Sequence, residues 1–205
     1  MTVACRRRRT LLGWIRPALL IVVALASPGL AQSPETISYP ADYTTTLTKY
    51  AVVDRADGFS RDLFASRDVL EALRRDPRLA ELPVGALLAL DVHSARQVGR
   101  DPKTRSPIYE TDRQGHLVRS RDEHTLHLMQ KTQPGFGSQT WTFAGYDPRT
   151  AAPLNLQLPG DCLLCHQAAL VSDMAFSLSL LRRFTETGEV QYSFCAQPGR
   201  QSCRF

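Results

Sequence analysis

The sequence has no apolar run long enough to cross a bilayer comfortably, no internal repeat and no low-complexity tract. The stretch Ala18–Ala26 is apolar throughout but falls short of the ~20 residues a membrane-spanning helix needs. Arg6, Arg7, Arg8 and Arg9 precede it, and small residues follow, with Gly29 and Ala31 placed before a cut at Gln32. That order is the pattern of a secretory signal peptide. Residues 1–31 are therefore read as the signal and residues 32–205 as one domain. The expected location is periplasmic or otherwise exported, with no membrane span after cleavage.

Surplus charge is missing as well. The whole chain carries 25 Lys and Arg against 20 Asp and Glu, a net charge of +5. Arg6 to Arg9 and Arg16 lie within the first 31 residues, where no acid accompanies them. Removing those five leaves 20 bases against 20 acids and a net charge of zero. Nucleic-acid binding needs a basic face, and that support departs with the signal, so no nucleic-acid partner is expected.

Cysteine is scarce, and its placement is informative. Cys5 belongs to the signal, which leaves Cys162, Cys165, Cys195 and Cys203. Export means an oxidising compartment. Cys195 and Cys203 close a short C-terminal loop and are expected to form a disulfide. Cys162, Cys165 and His166 form a CxxCH motif within DCLLCHQ. With five Cys and five His, chance would produce such a motif about 0.003 times per chain if positions were independent.

Three chemistries use this spacing. A redox dithiol sits at a helix start after an early strand and has no need of His166. A zinc site needs four ligands, normally two pairs, and Cys195 with Cys203 fits no common second pair. A covalent haem c, one per chain, accounts for every position: both thiols add to the vinyl groups, and the adjacent imidazole is the proximal iron ligand. The dithiol and the zinc site remain as the alternatives.

The rest of the chain predicts an α+β fold, a mostly antiparallel β-sheet with packed helices in a single domain. Strands are expected over Thr44–Val53, in SRDLFAS, over Val84–His93, over Leu126–Gln130 and over Gln139–Tyr146. A helix capped by Ser66 presents Val69, Leu70 and Leu73 on one face and stops before Pro77. Residues 95–115 read as a polar loop. Asp161 is expected to cap a helix carrying CLLCHQAAL, and a further helix covers MAFSLSLLRRF, interrupted at Gly188.

The order of these segments resembles the cytochrome P460 family, including the cytochrome c′-beta group. TKYAVVDR comes early, LPVGALLALDV follows, and QTWTFAGYDP precedes DCLLCHQAALVSDMAFSLSLLRRF. Asp173, Met174, Ala175 and Phe176 fill the Asp-Met-hydrophobic-Phe pattern after the CxxCH. The resemblance covers roughly residues 39–183. It implies a haem domain, often dimeric, so a homodimer is among the expected partners. In P460 enzymes of this type a lysine also joins the haem edge, and the modified haem oxidises hydroxylamine. That lysine would fall on VGALLALDV before an acid, where Leu90 precedes Asp91. Lys49, Lys103 and Lys131 are the lysines of this chain, and none lies on that strand. Whether the chain is an enzyme stays open here.

The reading that follows is an exported monohaem c-type cytochrome with an open distal face. It would bind or redox-process a diatomic gas or small nitrogen oxide. One alternative is an electron carrier, working with a redox partner protein, whose sixth ligand is drawn from Met129, Met174, His93, His124 and His127. Another is a hydroxylamine-oxidising enzyme cross-linked through a different lysine, with Lys131 as candidate. Asp91 is the candidate proton-handling acid, set against a plain salt-bridged role. His124 and His127, three apart on a strand, should face opposite sides.

Overall fold

Apolar residues fill much of the predicted strands, and the central strands accordingly bury side chains on both faces of one sheet. The structure, a computed structural model, describes residues 36–155, 165–196 and 203. After the short helix α1 (Tyr43–Thr46) come β1 (Thr48–Arg55), β2 (Phe59–Ala65), α2 (Arg67–Arg75) and β3 (Leu87–Ala95). The hairpin of β4 (Gln97–Arg100) and β5 (Pro107–Tyr109) follows, then the long β6 (Arg119–Lys131), β7 (Trp141–Asp147) and β8 (Ala152–Pro153). Helix α3 (Leu178–Thr187) and β9 (Gln191–Cys195) are the last elements among the described residues. The main sheet has seven strands in the order β8-β7-β6-β3-β2-β1-β9. Its pairs are antiparallel except β1 with β9. The fold is thus α+β in one domain with a mostly antiparallel sheet.

Register assigns every residue to a face. Leu90 pairs with His127 and Leu88 with Met129, and Met129 in turn pairs with Phe143. These side chains share one face with Ala51, Val53 and Leu63, and α2 and α3 cover it. Val69 and Leu73 of α2 and Leu181 of α3 are all 0% exposed. Each side chain of this kind gains about 1.5–3 kcal/mol from full burial. The other face carries Phe64, Ala89, Leu126, Leu128, Ala144 and Tyr146. Ile37, Tyr43 and Leu47 from the segment before β1 pack against it.

Several expectations shift in detail. Thr44 to Thr46 belong to α1 and the strand begins at Thr48. Their composition suits a strand, but backbone and side-chain bonds from residues 45 and 46 to the Asp42 carbonyl hold a helical turn. The predicted strand at Val84 starts at Leu87, because Gly85 turns the chain at φ +93°. The polar stretch 95–115 contains the β4–β5 hairpin rather than a loop alone. Tyr109 of that hairpin lies on Gly58, where an added Cβ would collide with the phenol ring. Strand β6 runs from Arg119, well before Leu126. Strand β9 has no counterpart in the sequence reading. Helix α2 starts after Ser66 as expected, yet the Ser66 hydroxyl accepts the Leu87 N–H instead of capping the helix. Cys195 and Cys203 form the expected disulfide, with Cα atoms 5.5 Å apart.

Candidate functional site

Cys165 and His166 sit in a helical turn that runs into the 3-10 segment Gln167–Ser172. Asp161 and Cys162, and with them the expected cap and first thiol, lie outside the described residues. His166 is half-buried between aromatic rings: Phe143 of β7 at 5.1 Å and Phe176 at 5.2 Å, both tilted. Its Nδ1 is 2.6 Å from the Met174 carbonyl oxygen. A carbonyl can only accept, so Nδ1 carries the proton and Nε2 keeps its lone pair. Burial lowers the His166 pKa, against the opposing pull of the Met174 bond. The ring therefore stays a neutral imidazole with one free basic nitrogen.

The Met174 carbonyl is aimed by an unusual turn. Asp173 and Met174 are both left-handed, at φ 51° and 66°. Neither is glycine, and each such residue costs about 1–2 kcal/mol. A buried network offsets that cost. Both Asp173 carboxylate oxygens accept from Lys131 Nζ, at 2.7 and 2.9 Å. Trp141 Nε1 donates to Asp173 Oδ1 at 3.2 Å, and the Leu82 backbone N–H donates to Oδ2 at 2.8 Å. Lys131 also donates to the Gly135 carbonyl, and both charged side chains of the pair are 0% exposed. The Asp-Met pair of the sequence thus does two jobs. Asp173 anchors the turn, and Met174 turns its carbonyl to the imidazole while its side chain, 0% exposed, fills the core.

Around His166, β6 contributes His127, whose pKa is lowered by burial and then by the charges of Arg61 and His166. Its Nε2 lies 3.1 Å from the Thr125 hydroxyl. Burial, reinforced by Arg55, pulls the Arg61 guanidinium down to about 10, while Asp57 and Cys165 act in the opposite sense. Among the described residues, Arg61 Nε is buried and meets no hydrogen-bond acceptor. Arg61 has no signal in the sequence reading, and Phe176 enters it only as the end of the Asp-Met-hydrophobic-Phe pattern. Only the strand register, which pairs Arg61 with Val92, reveals that Arg61 shares the His127 face.

The other candidates are placed apart. Asp91 pairs with Leu126, so its carboxyl emerges on the face opposite Leu90 and His127. There it meets Tyr43, His124 and His93. The structure brings neither Asp91, His93 nor His124 to His166. His124 and His127 face opposite sides, as the strand period requires. Met129 is buried in the core beside Trp141. Lys49 pairs with Asp62, and Lys131 is engaged by Asp173.

A family model described as Cytochrome P460 matches residues 40–177. The chain belongs to the cytochrome P460 family. No curated protein matches the chain in sequence. Membership makes a haem the cofactor of this cytochrome. The His166 surroundings fit that group on their own chemistry. An imidazole with its Nδ1–H fixed by a carbonyl presents the other nitrogen to a metal, the usual arrangement for histidine ligands. Aromatic side chains flank it, and an unpaired guanidinium N–H on the same face suits a carboxylate or a polar ligand.

Proposed function

We infer that this P460-family cytochrome is an exported, monohaem c-type protein that binds a neutral diatomic gas or a small nitrogen oxide at an open haem face. Cys162 and Cys165 would hold the haem covalently, and His166 would be its proximal ligand. The observation that carries this reading is the 2.6 Å bond from the Nδ1 of His166, the residue next to Cys165, to the Met174 carbonyl. It fixes the tautomer and leaves Nε2 as a ligand nitrogen. Bound there, the haem would supply an iron able to take a small ligand or change oxidation state. The chain's own part is to orient His166 through Met174, to exclude water with Phe143 and Phe176, and to offer the Arg61 N–H to an anionic or polar group.

Placement of the sixth-ligand candidates supports an open face. Met129 and Met174 have their side chains in the core, and His93 and His124 lie across the sheet. His127 shares the face with His166, and this observation favours one second reading, an electron carrier with His127 as the sixth ligand. A cross-link through Lys131 is less well supported, because its ammonium already serves Asp173 and Gly135 inside the core.

Optical spectra of the mature protein, made in a host competent in cytochrome c maturation, test the proposal. The ferrous protein should bind carbon monoxide or nitric oxide with a large Soret shift. His166→Ala should abolish the parent spectrum. A low-spin spectrum in both oxidation states that ignores added gas, and becomes high-spin in His127→Ala, would establish the electron carrier instead.

A further inference from the structure

The face of the sheet opposite His166 carries a cluster that the haem reading does not use. Asp91 and His93 lie on β3, and His124 lies on β6 directly across from His93. One potential ligand atom from each falls within 4.8 Å of the others. His124 Nε2 is 2.6 Å from Asp91 Oδ1, and His93 Nε2 is 3.4 Å from Asp91 Oδ2. The two imidazoles stack, with centroids 4.1 Å apart and planes 20° from parallel.

The geometry points to a divalent-metal site at Asp91, His93 and His124, one that takes a borderline first-row ion such as zinc. Two imidazole nitrogens and a carboxylate oxygen form a common donor set for such ions. Metal–ligand bonds of about 2.0–2.1 Å in a tetrahedron put neighbouring donors about 3.3–3.4 Å apart. The His93–Asp91 separation of 3.4 Å already has that value. The shorter His124–Asp91 contact is a hydrogen bond, and an ion would replace its proton and part the two groups by less than an ångström. His93 and His124 keep 17% and 25% of their side chains exposed, so water can reach the cluster and fill a fourth position.

Three further features suit a cation. Asp91 is 5% exposed and flanked by two imidazoles, and stacked rings of this kind repel each other when both are protonated. A single divalent ion neutralises the carboxylate without that repulsion. The Tyr43 hydroxyl donates to Asp91 Oδ2 at 2.8 Å, which orients the carboxyl as outer-shell partners of metal ligands do. The ligands also stand on two adjacent strands at the centre of the sheet, so their backbones are fixed before any ion arrives.

The test uses the full, haem-loaded protein, dialysed against micromolar zinc and analysed for metal. One zinc per chain beyond the haem iron is expected. His124→Ala and His93→Ala should each lose it, and Tyr43→Phe should weaken binding about 10-fold. In the unaltered protein, zinc should protect His93 and His124 together from diethylpyrocarbonate. That readout serves even where a variant folds poorly. No retained zinc, zinc retained equally by the His93→Ala/His124→Ala double variant, or labelling indifferent to zinc would each overturn the site. The haem spectrum reports the other face of the sheet, so the two proposals fail separately.

Discussion

Asp173 and Asp91 are both buried beside the same sheet, one on each face, yet they face different partners. Asp173 is sealed against Lys131, Trp141 and the Leu82 N–H, with no side-chain exposure on either member of the ion pair. Asp91 meets two half-buried imidazoles and one phenol. An ammonium inside the core cannot exchange for another cation without unfolding its surroundings. The half-buried imidazoles beside Asp91 can turn their nitrogens to a new partner. The first arrangement is a fixed pin under the His166 turn. The second is an exchangeable one.

The sharpest way to break that contrast is to remove the ammonium. Lys131→Met leaves the Asp173 charge buried without its cation and should cost about 3–5 kcal/mol in denaturant unfolding. The double variant Lys131→Met/Asp173→Asn should recover much of this loss, because no uncompensated charge then remains. A single variant as stable as the parent would mean that Asp173 is already satisfied by Trp141 and the Leu82 N–H. A smaller effect is expected at the far edge of the sheet. Cys195 ends β9, and its bond to Cys203 closes a loop with a sequence separation of 8. Replacing both cysteines with serine should cost about 2–3 kcal/mol by loop entropy. It should leave the haem spectrum unchanged, since the disulfide lies on the β1–β9 side. A spectral change would tie that edge to His166.

How much of this was legible in the sequence follows the same division. The CxxCH, the Asp-Met-x-Phe pattern and the helix of Val69, Leu70 and Leu73 are local, and local spacing was enough to find them. The family and the α+β class followed from the order of such segments. Register is not local. His93 and His124 are 31 positions apart, and only the β3–β6 pairing sets them side by side. In the sequence the near neighbour of His124 is His127, and nothing local points to His93 as its partner. Lys131 reads as a cross-linking candidate in sequence for the same reason: its counter-ion Asp173 is 42 residues away. The segment 95–115 hid a hairpin because its charged residues face solvent on a two-stranded ribbon, where alternation of buried and exposed positions gives no signal.

The smallest expected effect is also the most discriminating, and it lies at Asp91. Burial alone would raise its pKa, but bonds from His93 and Tyr43, with the charges of His93 and His124, hold it below the ordinary value of 3.8. A carboxyl with a depressed folded pKa lends stability that is present above 3.8 and is lost as the pH falls through the folded value. Tyr43 is a permanent donor here, since burial and the neighbouring carboxylate push its own ionisation far up. Tyr43→Phe removes one bond to the charged form and should cost about 1.5 kcal/mol near neutral pH, the low end for a bond to a charge because both imidazoles remain. As Asp91 takes up its proton in acid, that charge-assisted part disappears, so the unfolding curves of parent and variant should converge only as the pH falls through the folded pKa of Asp91, which lies below 3.8. A difference that stays constant from neutral pH into acid would mean that the Tyr43 hydroxyl serves the protonated carboxyl equally well, and no difference at any pH would mean that Tyr43 acts only through the ring that phenylalanine keeps against Phe64.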